Sequence, residues 1–220
     1  PTVVLVAYGA NESFAGAEGL PDFVAGLDRL LNDLRDTGAR FVLLAPTRQE
    51  HFAPPLPDPT AHNRDLRLYG RMLEVVAAQR GFRYVDLYSR LPDGHAEQPA
   101  CPLTDNGLHF TAYGYWRVAA ALATGLELPP AIWSLDIDAD GEDLTAQGTT
   151  LSDVVREPGD VRWTSLDATL PAAPAPEEAR DCGHAGPARM VRVRDLPAGR
   201  HTLKIDGEPA VTATAEEWAA

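Results

Sequence analysis

The sequence predicts an α/β protein, a parallel sheet layered with helices over residues 1–128, joined to a smaller β-rich module over 129–220. Three observations predict it. In the first half, short β-branched apolar runs alternate with longer stretches whose apolar residues recur every three or four positions. Strands separated by helices pair in parallel through right-handed crossovers. After Pro129-Pro130 the pattern changes to period-two alternation broken by turn signals such as Asp206-Gly207.

Val3-Val4-Leu5-Val6-Ala7-Tyr8 is a continuous apolar run, the pattern of a strand buried on both faces. Gly9 to Leu20 reads as loop. Pro21 opens a helix, where its missing N–H leaves no helical bond unmade. Phe23, Leu27, Leu30, Leu31 and Leu34 form its core-facing stripe, and Gly38 ends it. Phe41–Leu44 is the next strand, stopped by Pro46. The proline-rich loop 46–62 precedes a helix over Asn63–Arg80, with Leu66, Tyr69, Leu73 and Val76 on one face and Gly81 as its stop. Phe82–Asp86 is a third strand and 92–110 another loop. Thr111 caps a helix reaching Thr124.

In the second half, Ile132–Asp138 alternates, with Trp133, Leu135 and Ile137 on one face. Asp140-Gly141 signals a turn. Met190–Arg194 alternates as well. His201–Ile205 and Val211–Ala215 flank Asp206-Gly207 as a hairpin. The Pro/Ala-rich stretch Pro171–Pro187 reads as a long connection.

A net charge of -13, with Lys204 the single lysine, argues against a nucleic-acid partner, because phosphate binding needs clustered cations. No apolar run approaches the roughly 18 residues of a membrane helix. Cys101 and Cys182 either pair, which goes with export, or stand as two unrelated thiols. The compartment stays open, with export slightly favoured, and the oligomeric state is not readable. His51, His62, His95, His184 and His201 lack metal-ligand spacing. Asp136-x-Asp138-x-Asp140-Gly141 resembles a calcium loop, but its twelfth position is Gln147 and its flanks read as strands. No metal and no cofactor is expected.

Two segments carry chemistry. Gly9-Ala10-Asn11-Glu12 follows the first strand, at the carboxyl end where ligands bind in open α/β sheets. The Asn11 amide can donate to a developing oxyanion, or it can organise an Asx turn. Asp105-Asn106-Gly107-Leu108-His109 precedes the last helix of the first half. A histidine there can serve as general base, or as a loop surface residue.

Taken together, the segments resemble the third block, Gly-x-Asn-Asp/Glu, and the fifth block, Asp-x-x-His, of SGNH/GDSL serine hydrolases. Their order matches, and they lie roughly a hundred residues apart, as in the family. Tyr8–Phe14 and Leu103–Gly107 also resemble GDSL-type proteins of planctomycete-like bacteria. The resemblance covers about residues 1–125. It implies a flavodoxin-like three-layer fold and hydrolysis of carboxylic esters through an acyl-serine. It further implies Asn11 as oxyanion donor, His109 as general base, and Gly9 as the point of close backbone approach to substrate. The implied substrates are small-molecule or carbohydrate esters, O-acetyl sugars among them.

Two departures qualify that expectation. The family's serine lies in a Gly-Asp-Ser-like segment on an earlier strand, followed by a glycine block, and neither is in this sequence. Ser13, Ser89, Ser134, Ser152 and Ser165 lack that context. The expectation is a chain incomplete at its N-terminus, without the nucleophile, inactive alone and part of an esterase when whole. The family acid also sits three residues before the histidine, where this sequence has Asn106 next to Asp105. Either can orient His109, with Asp105 slightly favoured. The competing readings are a non-catalytic carbohydrate- or ligand-binding protein on the same scaffold, and an interaction module carried by residues 129–220.

Overall fold

The computed structural model describes residues 1–92, 101–130, 132–140, 143–171, 173–184 and 189–220. His95, Gly141 and part of the Pro171–Pro187 connection lie outside the described residues. The chain forms two compact units. One comprises Pro1–Leu128 and Ala175–His184, the other Pro129–Pro174 and Ala185–Ala220.

The first unit runs β1 (Val3–Val6), α1 (Leu20–Asp33), β2 (Arg40–Leu44), α2 (Thr60–Arg80), β3 (Arg83–Val85), α3 (Leu87–Arg90), α4 (Ala112–Gly125) and α5 (Glu177–Asp181). Its sheet is parallel in the order β1-β2-β3, with Val3 opposite Arg40 and Leu44 opposite Val85. Helices cover both faces. Phe23, Leu27 and Leu31 of α1 and Tyr69, Leu73 and Val76 of α2 pack on Val6, Phe41 and Leu43. On the other face Val118, Ala121 and Leu122 of α4 pack on Val42, Leu44 and Val85. Alternate β2 residues thus feed two cores, which is why this strand reads as one unbroken apolar run.

β1 departs from the expected burial on both faces. Val4 and Val6 face α1 and α2, but Val3 and Leu5 are 40% and 48% exposed. α4 packs over β2 and β3, so the matching face of β1 stays open. The helix limits also shift. α2 begins at Thr60 rather than Asn63: the Asn63 N–H already bonds the Pro59 carbonyl, and the Asn63 side chain is turned back onto Gln49 instead of capping a helix start. After β3 the chain enters α3, where Asp86 accepts the Ser89 N–H as its cap. Part of the Pro/Ala-rich stretch folds as α5, where Ala179 and Cys182 join a core with Leu91, Leu103 and Tyr113. Cys101 and Cys182 form a disulfide across Cα atoms 5.8 Å apart. Among the described residues, no helix is long and apolar enough to cross a membrane.

The second unit is β-rich: β4 (Trp133–Asp138), β5 (Leu144–Gln147), β6 (Thr149–Glu157), β7 (Asp160–Asp167), β8 (Arg189–Arg194), β9 (Arg200–Ile205), β10 (Glu208–Thr214) and the short α6 (Ala215–Ala219). They form three small sheets, β5-β4-β8, β6-β7 and β10-β9. The hairpin around Asp206-Gly207 is present, but its second strand starts at Glu208, and Ala215 already belongs to α6. β5 is the antiparallel partner of β4, the hairpin that the strand-like flanks of Asp140-Gly141 predict, whereas β6 and β7 were not expected. β6 and β7 expose most of their residues, and a bulge between Ser152 and Val155, with Asp153 at φ 53°, breaks the period of two.

Candidate active site

The turn after β1 is built around Gly9, whose φ of 105° suits a residue without Cβ. The Gly9 N–H donates to Glu12 Oε2 at 2.8 Å, and its carbonyl accepts the Ser13 N–H. Ser13 is fully buried; its hydroxyl donates to the Ala10 carbonyl at 2.7 Å and lies 2.8 Å from His62 Nε2. With the hydroxyl proton given to Ala10, His62 Nε2–H is the donor to Ser13 Oγ. The Phe14 ring stacks on His62 at 3.8 Å. Burial holds His62 below its ordinary pKa, partly offset by the nearby Asp65 carboxylate. Asn11 stands exposed on this braced turn, and its side chain does not cap the 3-10 turn it precedes. An exposed amide of this kind is able to donate to a substrate oxygen.

The second segment is a tight loop closed by an isolated bridge between Thr104 and Phe110. The Asp105 N–H donates to the His109 carbonyl at 2.8 Å, and the Thr111 N–H to Leu103 at 2.9 Å. Asn106 Oδ1 accepts the N–H groups of Leu108 and His109 at 3.2 and 3.1 Å. These two donors identify the oxygen of the amide. The same oxygen and the amide nitrogen both lie 3.1 Å from His109 Nδ1. With Nδ1–H donating to the oxygen, Nε2 keeps a lone pair, the form a general base requires; with the amide NH2 donating to Nδ1, Nε2 carries the proton. The contact to the imidazole therefore comes from Asn106, whereas Asp105 enters through its backbone N–H. Asp105, Asn106 and His109 are all exposed.

Sequence reasoning missed the residues that brace these two segments. Glu50, 7% exposed, accepts the N–H groups of Leu103 and Thr104 at 2.8 and 2.7 Å and the Thr104 hydroxyl. Its own N–H donates to the Gly107 carbonyl at 3.2 Å. Asn63 clamps both polar backbone groups of Gln49, Tyr88 donates to the Asn63 carbonyl, and Arg48 lies over the Tyr88 ring at 4.5 Å. A lone Glu in a proline-rich stretch and a His at a helix start carry no periodic signal that marks them as buried braces. Among the described residues, no group of three His, Cys, Asp or Glu side chains is placed to hold a metal ion.

Residues 1–117 match the sequence profile of the GDSL-like Lipase/Acylhydrolase family. No curated protein sequence matches the chain significantly. Among solved structures, the chain is similar over its whole length to a gut microbial diltiazem-metabolizing enzyme, with a TM-score of 0.76 and 16% identity. It spans 57% of that enzyme's length. It also aligns with a catalytic mutant of an acetylxylan esterase from Geobacillus stearothermophilus, with a TM-score of 0.47, 19% identity and coverage of 59% of this chain and 61% of the other. The fold is that of SGNH hydrolases, a parallel sheet between helices, with further β-sheets in the C-terminal part.

Proposed function

The chain belongs to the GDSL-like lipase/acylhydrolase family, and on that premise we propose that it supplies the base and an oxyanion donor of a carboxylic-ester hydrolase whose nucleophilic serine lies outside Pro1–Ala220. The observation that carries this reading is the contact of the Asn106 amide with His109 Nδ1, which turns Nε2 away from the amide on an exposed loop. In this reading Oδ1 is the acceptor of Nδ1–H, so that Nε2 accepts the serine proton.

In this mechanism His109 Nε2 takes the serine proton as Oγ attacks the ester carbonyl. Asn11 Nδ2–H and a backbone N–H of the Gly9 turn donate to the oxygen of the tetrahedral intermediate. As the intermediate collapses, His109 returns the proton to the departing alkoxide, leaving an acyl-serine. Water, deprotonated by the same imidazole, then releases the acid. Asn106 keeps the ring in its tautomer, and the Asp105 carboxylate contributes longer-range stabilisation of the imidazolium.

An external nucleophile is supported by the chain's own serines. Ser13 is buried and its hydroxyl is engaged with Ala10 and His62, and Ser89, exposed on α3, lines a cavity with Arg67, Arg71 and Glu74 rather than with Asn11 or His109. The open face of β1, with Val3 and Leu5 exposed, suits cover by further chain. Small-molecule and carbohydrate esters are the substrate class, as the SGNH/GDSL resemblance implies. The Cys101–Cys182 disulfide supports export to an oxidising compartment.

A second reading, a ligand-binding protein without catalysis, is favoured by the neutral Asn106 in the acid's position. Turnover of p-nitrophenyl acetate by the intact polypeptide separates the two. The hydrolase reading expects turnover that falls at least about a thousandfold in His109→Ala. Equal turnover in that variant removes His109 as the base, and binding of an acetylated sugar without any turnover supports the second reading.

A further inference from the structure

We propose that Glu50 is a positioning residue for His109, a buried carboxylate that sets the shape of the loop Leu103–Phe110 and thereby the direction of the imidazole. The proposal rests on the reading of His109 as the base. Asn106, Leu108 and His109 are exposed, so side-chain packing does not hold them in place. Their order comes from hydrogen bonds, and these converge on Glu50. Its carboxylate takes the Leu103 and Thr104 N–H groups at the entry to the loop. Thr104, 2% exposed, relays that anchor: its hydroxyl donates to Glu50 and accepts the Gly107 N–H at 3.0 Å. The Glu50 N–H completes the ring by donating to the Gly107 carbonyl.

Both polar backbone groups of Gly107 are therefore tied, directly or through Thr104, to one residue more than fifty positions earlier. Gly107 itself has φ 86°, and a Cβ there would stand 2.9 Å from the Glu50 carbonyl oxygen. Asn106 and His109 lie on either side of this anchored glycine. The Asn106 oxygen reaches Nδ1 because the turn first presents it to the Leu108 and His109 N–H groups. Loss of the Glu50 acceptors frees the turn and, with it, the ring. A glutamine at position 50 keeps the shape but sets an NH2 group against a donor.

The test is made on the 220-residue chain with 15N-labelled histidine, comparing wild type, Glu50→Gln and Thr104→Val. In the wild type, His109 should show one dominant tautomer, protonated at Nδ1, and a protected Gly107 amide. Both variants should move His109 toward the tautomer mixture of free imidazole and lower Gly107 protection roughly tenfold or more. In the intact enzyme, kcat should fall roughly a hundredfold with KM nearly unchanged, the signature of a displaced catalytic group rather than a damaged substrate site. Unchanged His109 resonances and Gly107 protection overturn the proposal, as does a kcat loss in variants whose His109 signature matches the wild type. If Glu50→Gln does not fold, Thr104→Val decides by the same two outcomes. An intact protein without esterase activity that still shows the NMR response contradicts the hydrolase reading and leaves the positioning role standing.

Discussion

At His109 the group beside the ring is the neutral Asn106 amide, its oxygen and nitrogen each 3.1 Å from Nδ1. An amide selects the tautomer but offers an imidazolium only a dipole, where a carboxylate offers a full charge. Asn106→Ala should therefore lower kcat of the intact enzyme about a hundredfold by releasing the ring. Asn106→Asp, which keeps the acceptor and adds charge, should hold or raise it. Asp105→Asn should cost less than Asn106→Ala, and steady-state kinetics of the three variants rank these roles; a larger loss in Asp105→Asn returns the acid's role to Asp105. Gly107→Ala should destabilise the chain by about 1–2 kcal/mol, because φ 86° disfavours an L side chain and the new Cβ meets Glu50. Urea denaturation reads this directly, and an unchanged midpoint contradicts it. The two segments that carry Asn11 and His109 stood out in the sequence because short polar motifs followed recognisable element ends. Glu50 and His62 did not, since a side chain's burial in a loop depends on chain that folds over it from elsewhere.

Among the elements, α1 and α2 were legible because Phe23, Leu27 and Leu31, and Leu66, Tyr69 and Leu73, recur at helical spacing and are the residues that end up buried. Thr111 announced α4 in the same way, and its hydroxyl accepts the Gly114 N–H at 2.9 Å. β6 and β7 lacked such a signal, because a two-stranded ribbon with a bulge buries too little to impose alternation. The turn after β1 depends on the contact of Ser13 with His62. Burial lowers the His62 pKa from 6.5, so the unfolded chain binds a proton first as pH falls. This contribution to stability is complete above about 6.5, declines as pH falls toward the folded-state value, and is flat below it. Urea midpoints measured across that window should fall in the wild type, and His62→Gln should remove this part of the slope. Identical slopes in both proteins contradict the assignment.

For the whole molecule, the disulfide returns α5 to the first unit after an excursion through much of the β-rich unit, closing a separation of 81 residues. A loop of that length restricts the unfolded chain enough for reduction to cost about 4 kcal/mol. Thermal unfolding with and without reductant should show a clear drop in Tm, absent in a Cys101→Ser/Cys182→Ser double variant, which starts at the lower value. The change of pattern at Pro129 was legible in composition, and the return of Ala175–His184 was not, because a Pro/Ala-rich stretch does not advertise its packing partner. The open face of β1 belongs to the same scale, since an apolar strand reads alike whether or not chain covers it. It bears on the central claim, that Asn11 and His109 serve a serine carried elsewhere. The most direct measurement is labelling of the intact polypeptide with a fluorophosphonate, followed by peptide mass spectrometry. The account predicts a single labelled serine outside Pro1–Ala220, with labelling abolished in His109→Ala. Labelling of a serine within this chain, or undiminished labelling in His109→Ala, would contradict it.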